Sequence, residues 1–468
     1  MTTPTPGIQD VVDSTSTTVP AAPPTHPPSP RGTRGAAVVA GSMAAGFLTA
    51  IALVAAPVVP ATEASLTGAV LCGFAVGWVA LTVLSARFTA QRQRWAVVPA
   101  VVLGAGGVAL LGLGSSAHPV SDWIWPPVLL VLAAWMVVQI RRHLTSRGSR
   151  WLLYPVVGAI AISAVGGTYQ TLGTATAPTT TMPGRLVDVG SHRLHISCTG
   201  SGTPTVVIEA GGGETAANLG WIAPAVARDT TVCVYDRAGR GWSENADTPQ
   251  NALAISTDLH TLLHRAGVPG PFVVAGHSFG GLYALTFAAQ HPQEVAGMVL
   301  IDSTSPRYDL SDTVGTPPVA GSYDAVGRIA ALVSGVARLG LGRLYSAIAT
   351  TDLPAREQAE LQVSTATPDS LRSTIEEYAR ANTSMEQAAA MRDFGGKPLF
   401  VLSATVGNAA GWAGKQDRLA TLSSDSVHHL VDGASHEALV GDRTCAATTS
   451  RAILDVVAAV RSGQPLSR

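Results

Sequence analysis

The stretch "VVAGHSFGG", Val273–Gly281, sets a serine between two glycines directly after a short apolar run. The pattern G-x-S-x-G arises by chance in glycine-rich chains, and this chain has 48 glycines in 468 residues, so the surroundings must give it meaning. "FVVAGH" reads as a strand and "GGLYALTFAAQ" as a helix, which puts Ser278 on the sharp turn between them. In that context the pattern presents a nucleophile, and Gly276 and Gly280 let strand and helix pass close to each other.

Outward from this turn, short Val- and Ile-rich runs recur: "PTVVIEA", "TTVCVYD", "PFVVAGHS", "GMVLIDS", "PLFVLSA" and "VHHLVDG". Helical patterns such as "NALAISTDLHTLLHRAG" separate them, and "GRLVDVGSHRLHISCTG" in front alternates as a hairpin does. Strand and helix in alternation predict an α/β fold with a mostly parallel sheet covered on both faces. Reactive groups in such sheets gather at the carboxyl ends of the strands, where Ser278 stands.

The composition demands more than one soluble domain. The chain is 47% hydrophobic and only 13% charged, with a mean hydropathy of +0.28, which points to membrane segments. A formal net charge of -1 gives no general argument for nucleic-acid binding, and none is expected. Residues 1–34 are rich in Pro, Thr and Ser and predict a disordered tail. Five apolar stretches, at about 36–58, 65–86, 96–114, 124–140 and 151–169, approach the roughly 20 residues that span a bilayer as a helix. Arg31 and Arg34, then Arg87, Arg92 and Arg94, then Arg141, Arg142, Arg147 and Arg150 fall in alternate loops. The positive-inside rule makes the tail cytoplasmic and sets everything after about residue 170 outside the cytoplasm of a multi-pass membrane protein. None of the five stretches carries Asp, Glu, Lys, Arg or His, so residues 35–170 read as an anchor rather than a transport pathway. A Thr/Ala/Pro linker is expected at 171–184, and residues 185–468 suffice for one large domain.

"VVIEAGGGE", "YDRAGRGWSE", "AGHSFGGLYALTFAAQHPQEVAGMVLIDS" and "DGASHEAL", in this order, resemble the α/β-hydrolase fold superfamily. The resemblance covers most of Gly184–Ser462 and implies a serine hydrolase, usually an esterase, on an eight-stranded sheet. It places the base at His436, after the last strand run, and the oxyanion donors at the N–H groups of Phe279 and Gly212. Many members carry the triad acid after the seventh strand, but "LFVLSATVGNAAGWAGKQDRLA" offers none before Asp417. Asp302, at the end of "GMVLID", is the preferred acid, with Asp417 the alternative. His277 reads as a packing or pocket-lining residue, and His428 and His429 lie within a strand pattern. The insertion between the sixth and seventh strands, about 305–393, predicts a helical cap whose apolar face lines a pocket for a small ester or lipid-like substrate.

The family's strand order makes the strands of Cys198 and Cys233 neighbours, so a disulfide between them is expected in an oxidising compartment. There is no metal-ligand spacing, phosphate loop or dinucleotide fingerprint, so neither a metal nor a cofactor is expected. Two other functions are compatible with such a sequence: a non-catalytic binding domain of the same fold, and a membrane transporter with an appended domain. Ser278, His436 and the glycine loop speak against the first, and the uncharged spans against the second. An aspartate nucleophile, as in epoxide hydrolases and dehalogenases, is disfavoured by Ser278.

Overall fold

The computed structural model describes residue 2 and residues 30–177, 180–246, 248–308, 324–348 and 352–466. Five helices come first: α1 (Pro30–Ala55), α2 (Glu63–Phe88), α3 (Val97–Leu113), α4 (His118–His143) and α5 (Arg147–Ala175). All are long and apolar enough to cross a membrane. Phe47, Leu48, Ile51, Val79 and Val131 are exposed on them, an apolar surface that would be anomalous in water and is ordinary in lipid. Burial of apolar area does not drive helices together in lipid, so close backbone contact must contribute. A Cβ on Gly73 of α2 would come within 2.4 Å of Ala50 of α1, and one on Gly77 within 3.1 Å of the Cα of Gly46.

Two boundaries differ from the sequence expectation. Most of the expected tail lies outside the described residues, but its last part, 30–34, is already helical in α1. The expected linker at 171–184 begins later, because α5 continues to Ala175. Hydroxyls of Thr168, Thr174 and Thr176 bond back to carbonyls one turn earlier, and Thr171 donates to the Asp122 carbonyl at 2.9 Å. Threonine composition read as a loop is helix here, since tertiary contacts outweigh weak propensity.

The C-terminal part follows, with strands β1 (Arg185–Asp188), β2 (Arg193–Thr199), β3 (Thr205–Glu209), β4 (Val232–Tyr235), β5 (Phe272–His277) and β6 (Val295–Ile301), and with helices α6 (Ile222–Val226), α7 (Ala252–Ala266) and α8 (Phe279–Gln290) each lying between two of the last four strands in turn. A helical insertion comes next: α9 (Ala325–Ser334), α10 (Leu341–Ile348), α11 (Ala355–Ser364), α12 (Pro368–Ala379) and α13 (Ala381–Ala388). The chain closes with β7 (Leu399–Val406), α14 (Trp412–Ala420), β8 (Ser426–Ser435), α15 (Ala438–Gly441) and α16 (Arg443–Ser462). The strands form one eight-stranded sheet in the order β1-β2-β4-β3-β5-β6-β7-β8, with β2 alone running against its neighbours. Strands β3, β5 and the core of β6 are buried on both faces, one apolar cluster lying under α7 and α8 and the other under α6 and α16. Cys198 and Cys233 are register partners on β2 and β4 and are joined by a disulfide.

The insertion rests on one end of the helix bundle. Arg328 of α9 is buried, and its guanidinium donates to the carbonyls of Val54 (2.7 and 2.9 Å), Ala56 (2.9 Å) and Val59 (2.8 Å) between α1 and α2. Arg338 pairs with Glu63 at 2.9 Å and Asp122 at 3.1 Å. Arginines 87, 92, 94, 141, 142, 147 and 150 lie at or beside the opposite helix ends, which Gln91 and Gln93 tie together through Thr145 and His143. Replacing Arg328 with Ala would remove the guanidinium donor from those three carbonyls, of which Ala56 keeps the Val59 N–H, a cost of about 2–3 kcal/mol. Protease cleavage within 325–348 is therefore expected to accelerate in Arg328→Ala and to be partly restored in Arg328→Lys; equal cleavage in all three proteins would mean that this contact does not hold the cap.

Candidate active site

Strand β5 enters helix α8 through Ser278, and the crossing leaves no room for side chains. A Cβ on Gly276 would lie 2.4 Å from the Gly280 carbonyl oxygen, and one on Gly280 would lie 2.3 Å from that of Glu209. Ser278 takes up the resulting turn with φ 54° and ψ -120°. Among the described residues only Ser278 and Asp302, with φ 43°, have positive φ without being glycine. Such backbone costs on the order of 1–3 kcal/mol per residue and persists where the surroundings over-determine it. The Ser278 N–H donates to the Ile301 carbonyl, and its own carbonyl accepts from Gly281 and Thr304, which fixes the turn.

Asp302 follows β6 and is fully buried. Its Oδ2 lies 2.6 Å from His436 Nδ1, while Oδ1 accepts from Trp412 Nε1 at 2.7 Å and from the Ala404 N–H at 3.2 Å. His436 is the residue after β8 and keeps 29% of its side chain exposed. Asp417 lies elsewhere: 69% exposed on α14, it bonds His428 Nδ1 at 2.8 Å. Among the described residues Ser278 Oγ makes no hydrogen bond.

The glycine loop after β3 faces the same turn. Gly211 N–H donates to Glu214 and Gly213 N–H to Glu377 at 2.9 Å, while among the described residues the N–H groups of Gly212 and Phe279 have no acceptor. Gly212 packs on the Phe279 ring, where a Cβ would come within 2.9 Å. Both N–H groups are thus without an acceptor, and that of Phe279 stands at the N-terminus of α8, where the helix dipole also favours negative charge.

Buried charges hold this loop. Arg237 donates to the carbonyls of Ala210 (2.8 Å) and Gly211 (2.6 Å) and to Glu377 of the cap helix α12 at 2.7 Å; Arg240 reaches the other Glu377 oxygen at 2.6 Å. Burial opposes ionisation of Glu377, but Arg237 and Arg240 outweigh it and hold its carboxyl below the usual range. Glu209 beneath them is pushed up to about 7 by burial, against the pull of Arg237 and the Tyr235 hydroxyl. His277, read from sequence as packing or pocket-lining, is buried and also bonded, to Glu214 at 3.0 Å and to the His436 carbonyl at 3.2 Å. Burial alone would lower its pKa; the Glu214 charge and hydrogen bond, with the His436 carbonyl, raise it instead.

The sequence profile of the alpha/beta hydrolase fold matches residues 204–440, half of the chain. The chain belongs to the α/β-hydrolase fold family. Among its relatives, an uncharacterized protein of Schizosaccharomyces pombe is 29% identical over 231 residues, 47% of this chain and 40% of that protein. An uncharacterized vacuolar membrane protein of Saccharomyces cerevisiae is 28% identical over 154 residues, 29% of this chain and 24% of that protein. The chain thus matches less than half the length of these curated relatives. Its structure is similar to that of an epoxide hydrolase at 20% identity and a TM-score of 0.43, over 57% of this chain and 96% of that one, a likeness that says nothing about substrate.

Within this hydrolase fold, Ser278, His436, Asp302, Gly212 and Phe279 converge on one edge of the sheet, and Asp417 does not join them. Sequence reasoning missed Trp412, Glu214, Arg237 and Glu377 as partners. Arg237 and Glu214 stood inside quoted motifs without an assigned role, and Glu377 lies in the helical insertion, whose pattern carries no signal for a partner 140 residues away. Loss of the acid from a Ser-His-Asp arrangement costs about 10⁴-fold in turnover through the wrong imidazole tautomer. If these residues act as such an arrangement, Asp302→Asn slows hydrolysis on that scale and Asp417→Asn changes it less than about twofold; the opposite ranking, read with p-nitrophenyl esters, would give the acid's role to Asp417.

Proposed function

We propose that this chain is a membrane-anchored serine hydrolase that cleaves carboxylic esters through an acyl-enzyme. The observation that carries the reading is the Asp302–His436 contact of 2.6 Å at the edge where Ser278 is held in its strained turn. A serine hydroxyl is a weak nucleophile at neutral pH and needs a base. His436 Nε2 takes the Ser278 proton as Oγ attacks the ester carbonyl, and Asp302 holds the Nδ1–H tautomer and stabilises the imidazolium. Charge that develops on the carbonyl oxygen meets the N–H groups of Phe279 and Gly212, a contribution of about 3–4 kcal/mol per donor where such groups have been removed. The imidazolium then protonates the departing alcohol. Water, activated by the same imidazole, attacks the acyl group and frees Ser278.

The membrane half supports a substrate that is lipid-like or a small ester reached near the bilayer. The cap sits against the ends of α1, α2, α4 and α5, and Ile329, Leu344 and Tyr345 stand exposed on α9 and α10 beside those helices. Arginine-rich loops at the far end favour a cytoplasmic location for that end, which sets the hydrolase domain outside the cytoplasm and suits its disulfide.

Two experiments test this. Wild-type protein should hydrolyse p-nitrophenyl esters and bind a fluorophosphonate covalently, and Ser278→Ala should do neither while keeping its melting temperature within a few degrees. Absence of both activities in well-folded wild-type protein would favour a non-catalytic binding domain. Reporter fusions after Arg150 should read cytoplasmic and those after Gly184 external; a cytoplasmic signal from the second would reverse the orientation.

A further inference from the structure

Far from Ser278, at the other end of α8, three imidazoles and one carboxylate meet. His260 and His264 stand one turn apart on α7, and His291 and Glu294 occupy the turn between α8 and β6. Helix α8 has 12 residues, so at 1.5 Å per residue the cluster lies roughly 18 Å from the nucleophile. Both Nε2 atoms of α7 converge on a single oxygen, Glu294 Oε1, at 3.0 Å from His260 and 3.4 Å from His264. Potential ligand atoms of His260, His291 and Glu294 all lie within 4.8 Å of one another; His264 is not in that mutually close set and would join it through its side of Glu294.

We propose that His260, His264, His291 and Glu294 form a Zn²⁺ site that clips α7 to the α8–β6 turn. Four ligands at Zn–N and Zn–O bonds of about 2.0–2.2 Å in a tetrahedron stand about 3.3–3.6 Å apart. The two nitrogen–oxygen separations already in place fall at or just below that edge. The donor set, three imidazoles and one carboxylate, is of borderline softness and suits Zn²⁺ over Ca²⁺ or Mg²⁺, which prefer oxygen. Each ligand is partly exposed or lies at the surface, so an ion can enter.

Among the described residues the His291 ring nitrogens have no hydrogen-bond partner; the ring is held by stacking on His260, with centroids 4.0 Å apart and planes 7° apart, and by Phe287 at 5.0 Å. Stacked rings direct their lone pairs side by side, so binding requires the His291 ring to turn toward Glu294. His260 and His264 have the H-x3-H spacing of a zinc-ligand pair, which the sequence reading passed over because their partners His291 and Glu294 begin 27 residues further on.

The test uses tag-free full-length protein in detergent, stripped with a chelator. Equilibrium dialysis should find one Zn²⁺ per chain, and Co²⁺ should give the intense visible absorption of a tetrahedral centre, bleached by added Zn²⁺. Zn²⁺ should raise the melting temperature of wild-type protein and of a His143→Ala control. His260→Ala and His291→Ala should each weaken binding at least tenfold and lose the shift. Fluorophosphonate labelling should be the same with and without the metal, so this outcome is independent of the hydrolase reading. Binding that survives both substitutions, or a Co²⁺ spectrum of octahedral intensity in the wild-type protein, would overturn the site. That spectrum decides the matter even if a variant fails to fold.

Discussion

The crossing of β5, α8 and β3 at Gly276 and Gly280 is the constraint from which the rest of this site follows. With backbone atoms where side chains would otherwise be, the chain must reverse within one residue, and Ser278 accepts a left-handed φ that most residues avoid. That reversal aims the serine away from the sheet and starts α8 with an N–H free of intrahelical partners. The elbow therefore supplies the hydroxyl and one donor together. Strands β6 and β8 bring up Asp302 and His436 from either side of β7, and the second positive φ, at Asp302, turns its carboxylate toward the histidine.

Buried charge carries this order outward. Glu377 is a cap residue, yet it accepts from Arg237, Arg240 and the Gly213 N–H, while Arg237 also grips the carbonyls of Ala210 and Gly211. An ion pair of this kind contributes little net stability over apolar packing, but breaking one side leaves an uncompensated charge, so it tolerates few alternative arrangements. The glycine loop and the cap are thus fixed to each other. Through Arg328 and Arg338 the same cap is fixed to the helix bundle, so a continuous set of polar contacts links the membrane region to the loop that carries Gly212.

The bundle itself is built differently from the domain above it. Helices α1 and α2 meet through glycines and small side chains, α2, α4 and α5 through a buried cluster that includes Trp78, Leu81, Met136, Ile140 and Leu153, and the charged partners Glu63 and Asp122 stand at the helix ends that receive the cap.

Local pattern was enough to reveal much of this protein. Alternating strands and helices, the glycine-flanked serine, the histidine after the last strand run and the five uncharged apolar stretches are all short-range features, because helix and strand periodicity and membrane span length are properties of contiguous residues. The sequence could rank Asp302 over Asp417 only by resemblance and by the look of the surrounding segment. Tertiary structure supplied the geometry: Asp302 lies behind His436 with Trp412 and Ala404 as further donors, whereas Asp417 points outward to His428. The same holds for Glu214, Arg237 and Glu377, for the docking of the cap through Arg328, and for the four ligands at the foot of α8. A buried charge or a ligand set is defined by partners that chain folding brings together across tens to hundreds of residues, and no local periodicity encodes which of them will meet.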